Sequence, residues 1–308
     1  MAAAAGDAPC RRASSIERVS AADPSAVRVR VPAKVNLQLS VGPLRPDGFH
    51  ELVTVFHAVS LFDVITVRPA SELSITARGL GAGTLPIGPD NLAWRAAELL
   101  ARHAGATPSV SIEIDKAIPV AGGMAGGSAD AAGTLRACAA LWGVDSAALA
   151  PLAAELGSDV AFGLIGGTAL GTGRGELLEP LPSTGPLHWV LVPAPFGIST
   201  ARAYAELDRL RADGALPEPA LDADLDTQLL RDALTSADSA RVAAALSNDL
   251  QEAAFSLAPS LRDVLTTGMA AGALAGIVSG SGPTCAFLCA DDDGAHARIL
   301  VPGLQRAR

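Results

Sequence analysis

From Val27 to Val41 apolar and polar residues take turns: Val27, Val29, Val31, Ala33, Val35, Leu37, Leu39 and Val41 are apolar, and Arg28, Arg30, Lys34, Asn36, Gln38 and Ser40 stand between them. Side chains on a strand alternate faces, so this period of two predicts one or two antiparallel strands covered on one side only. Lys34 and Asn36 then share the more polar face. Further strand patterns run over Leu52 to Val67, Leu73 to Ala77 and Val110 to Ile114. A helix is predicted from about Asn91 to Ala104, with Asp90 or Asn91 as its cap.

Glycine organises the middle of the chain. After "IPVAGGMAGGSADAA" the spacing of Ala131, Leu135, Cys138, Ala139 and Trp142 marks a helix ending at Gly143, and a second short helix runs from Ala147 to Leu156. "GLIGGTALGTGRGE" reads as a strand region, and the Pro-rich "EPLPSTGP" as a domain boundary. Beyond it come a strand at Trp189 to Val192, several helices between Thr200 and Ala271, and two closing strands. Strands followed by helices in each half predict an α+β fold of two domains, 27–182 and 183–308, behind a disordered tail over 1–26. That tail lacks the apolar core of a signal peptide.

Val264 to Ala290 carries no charge, and Gly268, Gly272, Gly276 and Gly280 repeat the spacing of packed membrane helices. Thr266, Thr267, Ser279, Ser281, Pro283 and Thr284 break it, so a helix, a strand, a turn and a second strand describe it better. With 32 acidic against 23 basic residues, the net charge of -9 argues against a nucleic-acid partner. The four cysteines, Cys10, Cys138, Cys285 and Cys289, form no C-x-x-C pair and give no zinc pattern. A reducing, cytoplasmic setting fits them.

Three features could carry chemistry. The Gly-rich stretch follows a strand and opens a helix. Its backbone N–H groups would cradle an anion such as a nucleotide phosphate, though a tight structural turn fits the same composition. It is neither a P-loop nor a dinucleotide fingerprint. Only Lys34 and Lys116 among the 23 basic residues are lysine. Both stand where a compact ammonium differs in kind from a guanidinium, or else on a solvated surface. Asp159, in "LGSDVAF", reads as a helix N-cap or as a base that accepts a hydroxyl proton during phosphoryl transfer.

Taken in order, "PAKVNL", "RPDGFHELVTVF", "DNLAWRAA", "IPVAGGMAGGSADAA", "LGSDVAF" and "SGSGPTCAF" resemble the GHMP kinase superfamily over about residues 27 to 290. The first two motifs resemble the branch that acts on a cytidylyl-linked methylerythritol. The resemblance implies an N-terminal domain like ribosomal protein S5 domain 2, a ferredoxin-like C-terminal domain, and ATP-dependent phosphorylation of the substrate's 2-hydroxyl with Mg²⁺. It makes Lys34 and Asp159 the catalytic pair. The ATP loop becomes Pro119, Val120, Ala121, Gly122, Gly123, Met124, Ala125, Gly126, Gly127, Ser128 and Ala129. Asn91 and Lys116 fall near the adenine, and Asn36, Phe49, His50 and Tyr204 on the substrate, Tyr204 stacking on cytosine or else packing internally. The metal ligands are left open.

Ala125 and Ala129 stand where the family has glycine and serine, so Ser128 supplies the loop's one hydroxyl. The family's closing helix and strand do not fit "DDDGAHARILVPGLQRAR", which makes a truncated or altered C-terminal domain the expectation. The implied protein is a monomer or weak homodimer. Two alternatives remain: a homoserine- or mevalonate-class kinase of the superfamily, and a non-catalytic S5-like RNA-binding protein.

Overall fold

A computed structural model describes residues 16–18, 25–217, 221 and 223–290. Strand β1 (Ile16–Arg18) pairs antiparallel with β2 (Val27–Leu44), which pairs along nearly its whole length with β3 (His50–Pro69). The outer end of β3 then pairs with β5 (Val110–Lys116), and β5 takes β4 (Ser74–Gly79) as a parallel neighbour. The other end of β3 pairs with β6 (Thr168–Thr172), which carries β7 (Leu177–Pro180). The three residues of β1 fall inside the expected loose tail, where the structure has a paired strand instead. The rest of 1–24 lies outside the described residues.

Alternation sets what covers this sheet. Val29, Val31, Ala33, Val35 and Leu37 of β2 join Ile65 and Val67 of β3 and Ile112 and Ile114 of β5 in one buried face. Onto it pack α1 (Leu92–Ala104), α2 (Gly126–Trp142), α3 (Leu149–Leu156) and α4 (Ser158–Ile165), through side chains such as Leu100, Leu135 and Leu152. Full burial of each such side chain contributes about 1.5–3 kcal/mol. Helix α2 lies so close that a Cβ on Gly133 would stand 2.6 Å from Ile65 Cγ1, a contact only glycine permits.

The opposite face of β2 is also covered, contrary to the one-sided expectation: Lys34, Asn36 and Gln38 are all buried. Pairing with β3 slips between Asn36 and Gln38, so Leu37 is a bulge residue and the parity changes there. Leu39 and Val41 consequently join Leu207, Leu250 and Ala253 in a separate apolar cluster. A uniform alternation in sequence thus hides a switch of faces.

The second half supplies that cover. Its sheet has the order β10 (Ala275–Val278), β11 (Cys285–Cys289), β8 (His188–Val192), all antiparallel. Helices α5 (Thr200–Ala212), α6 (Ala223–Thr235), α7 (Ser239–Ala244), α8 (Leu250–Leu257) and α9 (Ser260–Ala270) complete the described chain. One two-residue strand, β9 (Ser247–Asn248), crosses back to pair in parallel with β2. The uncharged segment from Val264 forms the end of α9, then β10, a turn and β11, as its polar interruptions required. Among the described residues no helix is long and apolar enough to cross a membrane.

Two local expectations fail. "GLI" continues α4 rather than opening a strand, and β7 runs into the Pro-rich boundary segment as far as Pro180. The expected truncation concerns residues 291–308, outside the described residues.

Candidate active site

Between the polar face of β2 and the helices of the second half lies a cavity of about 430 Å³. Its floor is Lys34 and Asn36 of β2 with Thr54 and Phe56 of β3. One wall is the loop after β5, another is Gly157 to Asp159 with Arg174, and a third comes from Thr200, Tyr204, Gly280 and Ser281.

The loop enters from Lys116 and turns through three left-handed residues, Ala121 (φ 53°), Gly123 (φ 74°) and Ala125 (φ 61°), before α2 begins at Gly126. Alanine in that region costs roughly 1–2 kcal/mol, so the surrounding contacts must hold the loop in this shape. No side chain caps α2. Its first N–H groups, with the positive end of the helix dipole behind them, open toward the cavity. A Cβ on Gly127 would meet only Leu92 Cδ1, at 3.8 Å, so a ligand can come up to the backbone there.

The turn 279–284 fixes the loop from the other side. Ser279 Oγ donates to Gly123 O at 3.1 Å and Thr284 N to Gly122 O at 3.3 Å. Contact is tight enough that a Cβ on Gly123 would stand 2.2 Å from Ser279 O. Asn248, on β9, holds the same turn by donating to the carbonyls of Val278 and Gly280, both at 2.8 Å.

Lys34 and Asp159 meet across the floor, Nζ to Oδ2 at 4.0 Å. The ammonium donates directly to Asn36 Oδ1 at 2.6 Å, and Asn36 donates on to Thr54 Oγ1 at 2.8 Å. Burial pulls the Lys34 pKa below the usual lysine value, and the Asp159 charge opposes that. Asp159 sits in the first turn of α4, two residues beyond the cap position, which is Gly157. It therefore does not serve as the N-cap, and its carboxylate is left half-buried at the cavity edge.

Of the loop residues expected at the nucleotide, Ala121, Gly122, Gly123, Ala125, Gly126, Gly127 and Ser128 line the cavity, whereas Pro119, Val120, Met124 and Ala129 do not. Met124 and Ala129 are buried in the core beneath. Asn91 caps α1, accepting from Ala93 N at 2.8 Å and donating to Pro86 O at 2.7 Å, and only its neighbour Leu92 reaches the cavity. Lys116 does not reach it either. Its ammonium is sealed between Asp63 and Asp130.

On the substrate side Asn36 and Tyr204 line the cavity, and Phe49 and His50 do not. The His50 ring stacks on Tyr204 with centroids 5.2 Å apart, its Nδ1 lies 2.8 Å from Gly42 O, and its Nε2 lies 3.3 Å from Asp208 Oδ2. Tyr204 so joins both readings, packed on one face and open to the cavity elsewhere. Burial, and to a smaller extent the Asp159 charge, push its phenol pKa up. Phe49 is half-exposed beneath the guanidinium of Arg174, 4.8 Å from its centroid. Periodicity gives no sign of Arg174, Thr200, Gly280 or Ser281, because these come from separate turns joined only by the tertiary fold.

An uncapped, glycine-lined helix start beside a lysine–carboxylate pair, closed by a second domain, defines a small-molecule kinase of the GHMP type. The GHMP kinases N terminal domain matches residues 91–169 and the GHMP kinases C terminal domain matches 228–299. The 4-diphosphocytidyl-2-C-methyl-D-erythritol kinase of Mycolicibacterium smegmatis is 60% identical over 266 residues, 86% of this chain and 82% of that protein. The enzyme of the same name from Thermobifida fusca is 55% identical and covered to 92%, as is this chain. A crystal structure of a 4-(cytidine 5'-diphospho)-2C-methyl-D-erythritol kinase superposes with a TM-score of 0.69 at 35% identity, covering 88% of this chain and 92% of that one. A homoserine kinase from Cytophaga hutchinsonii shares the fold, with a TM-score of 0.67 at 21% identity and coverage of 89% and 88%. The chain belongs to the 4-diphosphocytidyl-2-C-methyl-D-erythritol kinase family of the GHMP kinases.

Proposed function

We propose that this chain transfers the γ-phosphoryl group of ATP to the 2-hydroxyl of 4-diphosphocytidyl-2-C-methyl-D-erythritol. The observation that carries the reading is the Lys34–Asp159 pair, 4.0 Å apart on the floor of a cavity walled by the Gly-rich loop. The loop amides and the start of α2 hold the polyphosphate. Asp159 accepts the proton of the attacking hydroxyl as its oxygen bonds to the γ-phosphorus and the bond to the leaving ADP breaks. Lys34, kept in place by Asn36, steadies the carboxylate and offsets charge on the transferring group. Positioning and electrostatics carry most of the acceleration in such reactions, and a placed base supplies about 10²–10⁴-fold.

Arg174 and Tyr204 form the far wall, where a guanidinium and an aromatic ring suit a cytidylyl diphosphate. On this reading residues 27–182 supply the nucleotide loop and the catalytic pair, and 183–308 the lid over the acceptor. A Mg²⁺ arriving with the nucleotide, which keeps most of its ligands as water and phosphate oxygen, fits the hydroxyl that the loop turns to the cavity. Ser128 on the loop would hold it, and it would neutralise phosphate charge. A cytoplasmic enzyme, monomeric or weakly dimeric and without nucleic-acid partner, completes the reading, in keeping with the net charge of -9.

The test is ATP consumption with and without the cytidylyl substrate. Release of ADP is expected only in its presence. Equal ADP release with homoserine or mevalonate, or none with any acceptor, contradicts the proposal.

A further inference from the structure

Beneath the Gly-rich loop, away from the cavity, three charged side chains are almost wholly enclosed. Lys116 closes β5, Asp63 lies midway along β3, and Asp130 stands on α2 one turn past Gly126; none of their side chains exceeds 2% exposure. The ammonium donates to Asp63 Oδ2 and, at 2.8 Å, to Asp130 Oδ2. The other oxygen of Asp63 accepts the backbone N–H groups of Ala117 (2.7 Å) and Ile118 (2.9 Å), the residues that lead into the loop. Among the described residues Asp130 Oδ1 has no hydrogen-bond partner.

Two carboxylates around one cation form an expensive arrangement for a protein interior. An apolar filling would serve stability at least as well, so the cluster calls for a reason beyond stability. Its connections supply one. Asp63 fixes the loop's entry, and Asp130 fixes the helix that forms its exit. Lys116 joins the two, and its Nζ lies within 3.2 Å of where a Gly126 Cβ would be. The loop between them contains the left-handed alanines, which must be held to keep that shape.

We propose that Lys116, Asp63 and Asp130 act together as positioning residues for the nucleotide loop, tying its entry strand and its exit helix to one point in the sheet. The inference rests on the reading of that loop as the seat of the ATP phosphates. None of the three touches the reactants, so their effect runs through loop geometry and falls on the nucleotide rather than on the acceptor.

Asp130→Ala unties the exit and leaves the entry intact. It is expected to raise KM for ATP by roughly tenfold while KM for the cytidylyl substrate stays within about twofold, because a misplacement of about 1 Å is costly only to the ligand it faces. Asp130→Asn, which can still accept from Lys116, should restore most of the loss. If the alanine variant does not fold, Asp130→Ser takes its place. A fall in melting temperature with unchanged KM for ATP, or a parallel rise in both KM values, overturns the proposal. Calorimetric binding of ATP separates the two levels. Wild-type protein that binds no ATP would defeat the functional reading, whereas equal binding by wild type and Asp130→Ala would defeat only this inference.

Discussion

The only two lysines of the chain lie in the same sheet, both almost fully buried, and their surroundings could hardly differ more. Lys116 has two direct carboxylate bonds and no route to a ligand. Lys34 has a neutral amide as its direct partner and a carboxylate 4.0 Å away across an open floor. Desolvation opposes the charge in both places. Only around Lys116 do the protein's own anions complete the coordination, so that region behaves as architecture. The shell of Lys34 is incomplete, and on the proposed reading anionic substrates fill it. Burial alone does not tell the two roles apart, but the partners do.

Removing each ammonium in turn separates the two lysines most strongly. Lys116→Met leaves Asp63 and Asp130 facing one another inside the sheet and should cost about 3–5 kcal/mol, read as a lower denaturation midpoint. Lys34→Met should lower turnover by on the order of 10²-fold, the size of losing one electrostatic contact at the transferring group, without lowering the melting temperature. Equal destabilisation by the two variants would erase the distinction.

A smaller difference between the two lysine sites depends on pH. Burial pushes the Asp130 carboxyl up to about 7, with the Lys116 charge opposing and Asp63 adding to the rise. The folded state then holds this proton more tightly than the unfolded chain, whose value is 3.8. The associated stability is complete below about pH 4, is lost as pH climbs toward 7, and changes no further above that. Asp130→Asn cannot titrate, so wild type should lose roughly 1–3 kcal/mol relative to it between pH 4 and pH 7. A difference flat in pH would place Asp130 among ordinary carboxylates. The smallest change is expected at the cavity rim, where Ala125→Gly relieves a left-handed alanine. Chemical denaturation should show a gain of no more than about 1 kcal/mol.

Much of this frame is legible in the sequence. The alternation of β2, the apolar spacing of α1 and α2, and the strand–glycine–helix passage all survive into the structure, because local periodicity and sheet burial agree there. The bulge at Leu37 is invisible, since parity changes without any change in residue pattern. Helix α4 is masked by Gly163, which packs closely rather than turns: its Cβ would stand 2.8 Å from Ala132 Cβ. Lys34, Asp159 and the loop core, singled out through the resemblance, do line one cavity. Lys116 cannot be placed, because its partners lie 53 and 14 residues away along the chain. Nor can the wall of Arg174, Thr200 and Ser281, which exists only once two sheets close on one another.

In the proposed reaction Asp159 is the proton acceptor. Its most direct test sets single-turnover phosphoryl transfer beside calorimetric ATP binding for wild type and Asp159→Asn. Transfer slowed by about 10²–10⁴-fold with ATP affinity little changed is the predicted result. Transfer at the wild-type rate, or a loss of ATP binding that matches the loss of transfer, would contradict it.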